Sequence, residues 1–277
     1  MALSVNTNSS SLTAQMNLSK SQSRMNTSLE RLSTGLKINR SGDDATGLVT
    51  SELQKSQISG LTKAIENIER GTTMVATAES GLAEIGSLLL KMRDIAVNSS
   101  NEATQDTAGL AANQAEMDAL AESITRISDT TKFGTKALLD GGINASQFQI
   151  GAFSGETATL TIADTDATAL GLTVANISVD TAAEATAALA FIDDAIDTVT
   201  TARGDLGAFQ SGTLNATKNN NQSQLDNLKN AESILRDTDY QKEISNYTSE
   251  QIRQQAAQTV LGMANQSSQG ILSLLRG

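Results

Sequence analysis

Between Ile58 and Ala96 side chains return on a heptad frame, at Ile58, Leu61, Ile65, Ile68, Thr72, Val75, Leu82, Leu89 and Ala96, with Ile85 and Met92 widening the stripe. A seven-residue repeat sustained this long keeps one helix face turned toward a partner helix. At the rise of an α-helix the segment would span roughly 57 Å. The chain has no proline in 277 residues, where average usage would give roughly 14. Proline removes a backbone donor and clashes with the preceding turn, so its absence suits long unbroken helices. The stripe instead carries Gly60, Gly71, Gly81 and Gly86. Each glycine weakens a helix by about 1 kcal/mol relative to alanine, which implies that something packs closely against it.

Other segments repeat the helical signal. Met25, Leu29, Leu32 and Leu36 fall at spacings of four, three and four, the pattern of one helical seam, and the turn residues Ser41-Gly42-Asp43-Asp44 end it. After the polar stretch from Asn98 to Asp106, Leu110, Met117, Leu120, Ile124 and Ile127 predict a helix folding back as an antiparallel partner. The pattern then changes: Gln147-Phe148-Gln149-Ile150 and Thr159-Leu160-Thr161-Ile162 alternate at period two among Gly, Ser, Asp and Thr, which predicts one or two short hairpins. Thr181 followed by Glu184 fits a capping box, and Leu189, Ile192, Ile196, Val199 and Leu206 continue a helical seam, extended by Leu214, Leu225, Leu228 and Leu235. Asp237-Thr238-Asp239 is a last turn signal before an amphipathic C-terminal helix. The fold class read from this order is mainly α: a long antiparallel helical coiled-coil rod with a small β-hairpin region.

Composition narrows the chemistry. No His and no Cys are present, which removes the commonest general base, every triad that needs an imidazole, disulfides and thiolate metal sites. No nucleophile sits in a context such as G-x-S-x-G, and neither a catalytic residue, a cofactor nor a metal is expected. A formal charge of −11 opposes nucleic acid and anionic lipid as partners, and no apolar run is long enough to insert into a membrane. The first twenty residues lack a basic n-region and an apolar h-region, so export, if it occurs, is expected without a cleaved leader.

The two ends are amphipathic but lean. Residues 1–40 hold ten large apolar side chains after Met1, too few to offset the entropy of ordering forty residues without a partner surface. Both arms are therefore expected to be disordered in the monomer and to order only against neighbouring copies.

The ordered runs Glu30-Arg31-Leu32-Ser33-Thr34-Gly35-Leu36-Lys37-Ile38-Asn39 and Asp43-Asp44-Ala45-Thr46-Gly47-Leu48 resemble the N-terminal signature of the bacterial flagellins. Arg203-Gly204-Asp205-Leu206-Gly207-Ala208, Asp237-Thr238-Asp239-Tyr240, Ala264-Asn265-Gln266 and Ile271-Leu272-Ser273-Leu274-Leu275-Arg276 resemble the C-terminal one. The resemblance spans roughly residues 1–150 and 180–277 and implies a short form lacking large outer domains. It also implies four parts: residues 1–42 and 237–277 as halves of an inner filament-core domain with paired terminal helices, 43–180 as rod helices plus hairpins, and 181–236 as the C-terminal rod helix.

The function implied is a structural, extracellular filament subunit, exported unfolded and self-assembling for motility; a hook–filament junction protein is the alternative. The residues expected to pack in the polymer core are Met25, Leu29, Leu32, Leu36, Ile252, Val260, Met263, Ile271, Leu272, Leu274 and Leu275. Implied partners are further copies of the chain, an export chaperone at the C-terminal region, the filament cap and hook-junction proteins. In some flagellins the region corresponding to Lys91, Arg93, Ile95 and Glu116 is recognised by host toll-like receptor 5. Lys91 and Ile95 stand where activating members usually have arginine and leucine, so weakened recognition is expected here. Members commonly carry a proline before the leucine-rich ending, where this chain has Ser267-Ser268-Gln269.

Three features have a plainer reading. Asp43-Asp44 is expected to be a loop and helix-start pair rather than a cation site, since no further ligand follows at suitable spacing. Met25, Met92, Met117 and Met263 are expected to be packing residues. Thr157, Thr159, Thr161, Thr165 and Thr168 are expected to be unmodified surface threonines.

Overall fold

The computed structural model describes residues 8–103 and 105–276, with side chains through residue 266. Among the described residues the architecture is mainly helical: α1 (Ser9–Thr34), α2 (Ala45–Ser99), α3 (Thr107–Thr130), α4 (Ala182–Ala208), α5 (Ala216–Arg236) and α6 (Tyr240–Arg276). Two small antiparallel sheets lie between α3 and α4, β1 (Lys132–Phe133) with β2 (Lys136–Ala137) and β3 (Ser146–Gln149) with β4 (Thr157–Leu160). The chain divides into two compact units, residues 57–226 and a terminal unit of residues 1–56 with 227–277.

The unit of residues 57–226 holds the hydrophobic core. The heptad residues Ile68, Val75, Leu82, Leu89 and Ala96 of α2 are all buried, joined by Ile85 and Met92 as the spacing predicts. Against them pack Met117 and Ile124 of α3, and Ile192, Val199 and Leu206 of α4. Chain direction is marked by exposed ion pairs from α2 to the helices that run back along it: Arg93 to Asp193 at 2.7 Å, Glu79 to Arg203 at 3.3 Å and Glu69 to Lys218 at 2.8 Å. Exposed pairs of this kind contribute little each, so burial of the stripe dominates. Helix starts follow the sequence. The Asp106 carboxylate accepts from the Gly109 N–H at 2.7 Å. Thr181 Oγ1 accepts from the Glu184 N–H at 3.2 Å and donates to the Glu184 carboxylate at 3.0 Å.

The predicted hairpin appears as β3 and β4, with Phe148 opposite Ala158 and Ser146 opposite Leu160. It lies beside a segment that no periodicity announces. Phe209–Asn215 adopts a π-helical path between α4 and α5, with Leu214 fully buried and the Phe209 ring centroid 6.3 Å from that of Phe148. Such insertions interrupt the i→i+4 ladder and rotate the following residues about the axis. Here the change accompanies hairpin contacts rather than a break in sequence pattern. Thr165, expected on the surface, is fully buried and donates to the Leu139 carbonyl, whereas Thr157, Thr159, Thr161 and Thr168 are exposed.

The glycines of α2 divide by environment. A Cβ on Gly60 would lie 2.9 Å from the Ala152 Cβ and 3.2 Å from its Cα, at the turn of the β3–β4 hairpin. Gly86 has open space instead, so the close packing expected against this helix is present at Gly60 and absent at Gly86. Gly86→Ala should therefore stabilise this unit by about 0.5–1 kcal/mol, while Gly60→Ala should destabilise it by about 1–3 kcal/mol through overpacking. Urea unfolding of the two variants would show opposite displacements of the midpoint.

Candidate assembly surface on the terminal helices

The terminal unit is built differently. α1 begins with Asn8, whose side chain accepts from the Ser11 N–H at 3.0 Å. It ends at Gly35, which takes φ 74° and donates its N–H to the Arg31 carbonyl at 2.9 Å. A left-handed residue at this position stops the helix with little strain only if it is glycine. The chain then pairs in strand fashion with the connection between α5 and α6: Leu36 bridges Asp237, the Lys37 N–H donates to the Arg236 carbonyl at 2.6 Å, and the Thr238 N–H donates to the Gly35 carbonyl at 2.9 Å. The Arg236 guanidinium closes this clasp, donating to Ser51 Oγ at 3.1 Å and to the Glu52 carboxylate at 2.7 Å. That hydrogen bond is the main reason the Glu52 carboxyl lies below its ordinary range.

Asp43 and Asp44 act as the plainer reading expects. Asp44 caps α2, accepting from the Gly47 N–H at 2.9 Å, and Asp43 accepts from the N–H groups of Arg40 and Asn39 at 3.0 and 3.1 Å. The Arg40 N–H chiefly holds the Asp43 carboxyl below its ordinary value; desolvation opposes the shift, and the Asn39 N–H and the charges of Arg31 and Arg40 add to it.

From the clasp, α1 and α6 run antiparallel along each other in one constant register. Ser21 Oγ donates to the Glu250 carbonyl at 3.1 Å and to its carboxylate at 3.0 Å, Gln254 donates to Gln22, and Ser11 donates to Asn265 at 2.8 Å. The seam on α1 consists of buried Ala14, Ser21 and Ser28 with half-buried Ser11, Leu18, Met25 and Leu32. On α6 it consists of buried Glu243 and Glu250 with half-buried Tyr247, Gln254, Ala257, Leu261 and Ala264. Both sets step by three and four, as a heptad seam requires. The residues at the most buried positions are small or polar. Glu250, 8% exposed, also accepts from Arg253 at 2.9 Å and lies 3.6 Å from Arg24.

This seam is not the apolar one read from the sequence. Met25, Leu32 and Leu36 are half-buried, but Leu29 is 55% exposed because the seam passes through Ser28. On α6, Ile252, Val260 and Met263 are 62%, 53% and 62% exposed, so Met263 is no packing residue within the chain. Ile271, Leu272, Leu274 and Leu275 lie outside the described side chains, although the backbone of α6 is helical through Ser267-Ser268-Gln269. Leu12, Met16, Val49, Leu53, Ile234, Tyr240 and Ile244 are also more than half exposed; the apolar spacing singled out neither the two on α1 nor those on α2 and Ile234. Among the described residues of the terminal unit the buried hydrophobics are Ala14 and Ile38. Exposed apolar area on this scale in a small unit marks a contact surface.

Lys91, Arg93 and Glu116 lie exposed in the unit of residues 57–226, with Ile95 half-buried against its core. Arg93 is already paired with Asp193. Among the described residues no cluster of acidic side chains is arranged to hold a metal ion, and no helix is long and apolar enough to cross a membrane.

A helical subunit whose two ends pair through polar contacts and turn their apolar faces outward is a self-associating structural element. The family models for the bacterial flagellin N-terminal and C-terminal helical regions match residues 5–144 and 189–275. The chain is 39% identical over 272 residues to a flagellin of Halalkalibacterium halodurans, covering 98% of this chain and 99% of that one. It is 38% identical over 303 residues to a flagellin of Bacillus subtilis, with 98% and 99% covered. It is also 34% identical over 284 residues to the flagellar filament 30.7 kDa core protein of Treponema maltophilum, again with 98% and 99% covered. The crystal structure of Bacillus cereus flagellin shares the fold at a TM-score of 0.50 and 24% identity, over 56% of this chain and 88% of that one. The chain therefore belongs to the bacterial flagellin family.

Two outcomes follow from the terminal unit. Removing the Glu250 carboxylate in Glu250→Ala leaves Arg253 without its acceptor and Ser21 with the Glu250 carbonyl alone, and should weaken the helix pairing by about 1–3 kcal/mol. Hydrogen exchange on assembled chains would read this as loss of amide protection along α1, with residues 57–226 unchanged. The depressed Asp43 carboxyl contributes stability that is complete above the ordinary carboxylate range and lost as pH falls through and below it. Protection of the Asn39 and Arg40 amides should accordingly drop on acidification in the wild type and be low throughout in Asp43→Asn.

Proposed function

We propose that this chain is the structural subunit of a bacterial flagellar filament, an extracellular appendage used for motility, and that it assembles by burying the outward apolar faces of α1 and α6 against other copies. The observation that supports this reading is the distribution of apolar side chains. Residues 57–226 bury a continuous core, while the terminal unit buries Ala14 and Ile38 and leaves eleven large hydrophobics more than half exposed. In a solitary protein such a surface invites aggregation; in a polymer it supplies the association free energy. The lengthwise likeness to flagellins supports the same assignment. In this reading Leu29, Ile252, Val260 and Met263 meet neighbouring copies directly, whereas Met25, Leu32 and Leu36 steady the α1–α6 pair and its clasp. Residues 1–42 and 237–277 would form the inner core of the filament and 43–236 its surround.

Partners other than the chain itself belong to the same proposal. An export chaperone would cover the exposed face of α6 before assembly, and cap and hook-junction proteins would present surfaces like those of a neighbouring copy. For toll-like receptor 5, the pairing of Arg93 with Asp193 and the presence of Lys91 and Ile95 support weak recognition. Depolymerised protein should then elicit a much smaller reporter-cell response than an activating flagellin; equal potency would contradict this.

Filament growth from seeds, followed by electron microscopy and sedimentation, tests the assignment. Wild-type chain should elongate into helical filaments, and Ile252→Asp combined with Val260→Asp should stay soluble and monomeric with its residues 57–226 folded. Hydrogen exchange should show α1 and α6 poorly protected in dilute monomer and strongly protected after polymerisation. Double-aspartate chains that polymerise like the wild type would reject the proposed surface.

A further inference from the structure

The α1–α6 pair forms one wall-to-wall polar groove of about 390 Å³. Its lining includes Ser28, Glu243 and Glu250 together with Arg24, Arg31 and Arg253. Two of these arginines are accounted for, since Arg24 and Arg253 both face the Glu250 carboxylate. Arg31 is not. Among the described arginines of the terminal unit, Arg40 pairs with Glu30 and Arg236 with Glu52, but the Arg31 side chain has no hydrogen-bond or ion-pair partner, and its Nε is buried without an acceptor. Its influence reaches Asp43 only through space. Glu243 lines the same groove, 7% exposed, yet no ion pair joins it to Arg31; it accepts a long bond of 3.4 Å from Asn246.

A buried guanidinium N–H without an acceptor is unfavourable and calls for an explanation. Arginine also presents its donors as a planar fork suited to a carboxylate. The groove is lined by three positive groups, two of them already engaged with Glu250, so the positive group left without a partner is Arg31. The chain as a whole carries −11, which makes its own surface rich in the complementary group. We infer that in the assembled state an aspartate or glutamate of a second copy enters this groove and pairs with Arg31, adding a polar, orientation-fixing contact to the apolar ones. This rests on the filament reading but does not follow from it, because the apolar faces could associate with the groove left empty.

The test uses the full chain. Arg31→Gln and Arg31→Glu should raise the critical concentration for seeded growth at least tenfold, with the larger effect for Glu, while thermal unfolding of residues 57–226 is unchanged. Arg31→Lys keeps the charge and offers an amine. Filaments of Arg31→Lys grown from mixed ¹⁵N-labelled and unlabelled chains and treated with a carbodiimide should yield an amide from Lys at position 31 to a carboxylate of the other isotope. Cross-links found solely within one chain, to Glu243 or Asp43, would overturn the inference, as would Arg31→Gln filaments with wild-type critical concentration. If added inorganic phosphate substitutes for the second copy, restoring a buried partner in monomer without affecting growth, the groove is an anion site and the pairing is rejected. Wild-type chain that forms no filament would instead reject the filament reading, and the pairing with it.

Discussion

Everything distinctive about the terminal unit depends on how α1 meets α6. Ala14, Ser21 and Ser28 present almost no bulk, so the helices are held by hydrogen bonds from Ser21 and Gln254 and by the enclosed Glu250 carboxylate rather than by interlocked aliphatic side chains. A buried carboxylate is favourable only when its oxygens are answered, and here a hydroxyl and a guanidinium answer them. Buried polar contacts of this kind contribute less to affinity than aliphatic packing but fix the alignment of two helices, as a single polar core residue does in coiled coils. Leu18, Met25, Leu32 and Leu261 stay half-buried in the seam, while the pairing leaves out Leu12, Met16, Leu29, Ile252, Val260 and Met263. The latter lie on the outer faces of the same two helices, where association with further chains can use them.

The contrast with residues 57–226 is a matter of where a limited apolar supply is placed. Aromatics are only 3% of the chain, so neither unit can anchor itself on large rings. In residues 57–226 the aliphatic heptads of α2 close against α3, α4 and the hairpin, giving fully buried Ile68, Leu82, Leu89, Met117 and Ile192. That unit satisfies its own hydrophobic demand. The terminal unit does not: its helices pair through polar contacts and leave most of their large apolar side chains exposed. The α1–α6 hydrogen bonds and the clasp between Leu36 and Asp237 set the geometry of the pair without drawing on the outward apolar faces.

How legible the molecule was in its sequence follows from what periodicity can detect. The α2 stripe was readable because its core positions are aliphatic over many turns, and the Thr181–Glu184 cap because its donor and acceptor lie in one short motif. On α1 the same dependence on apolar side chains points to Leu29 at the one position where the seam passes through Ser28: Leu29 is apolar and Ser28 is not, yet Ser28 is the buried one. A seam of serine and alanine leaves no trace in a hydrophobic pattern. Its sign lies instead in the steps of three and four shared by Ser11, Ala14, Leu18, Ser21, Met25, Ser28 and Leu32. The two-residue strands β1 and β2 are too short for any alternation, and the π-helical turn at Phe209–Asn215 reflects packing beside the hairpin rather than local preference. Arg31 stood within a recognised motif, but that its Nε lacks an acceptor is visible only in three dimensions.

The clasp explains how a polar seam keeps its alignment. Aliphatic knobs resist slippage because each one fits a particular hole, whereas serine hydroxyls and glutamine amides can find substitutes a turn away. Gly35 and Asp237 remove that freedom at one end. The left-handed φ of Gly35 turns the chain out of α1 at a fixed residue, and the bridge from Leu36 to Asp237 ties that point to the start of α6. A helix held at one end cannot slide; it can only rotate or bend. Ser21 meeting Glu250 and Ser11 meeting Asn265 then extend the register set at the clasp along the described length of the pair. The outward stripes of both helices inherit fixed relative positions from this arrangement. That is the requirement for a repeating lattice, since a contact surface that shifted by one turn between copies would offer each neighbour a different pattern to match.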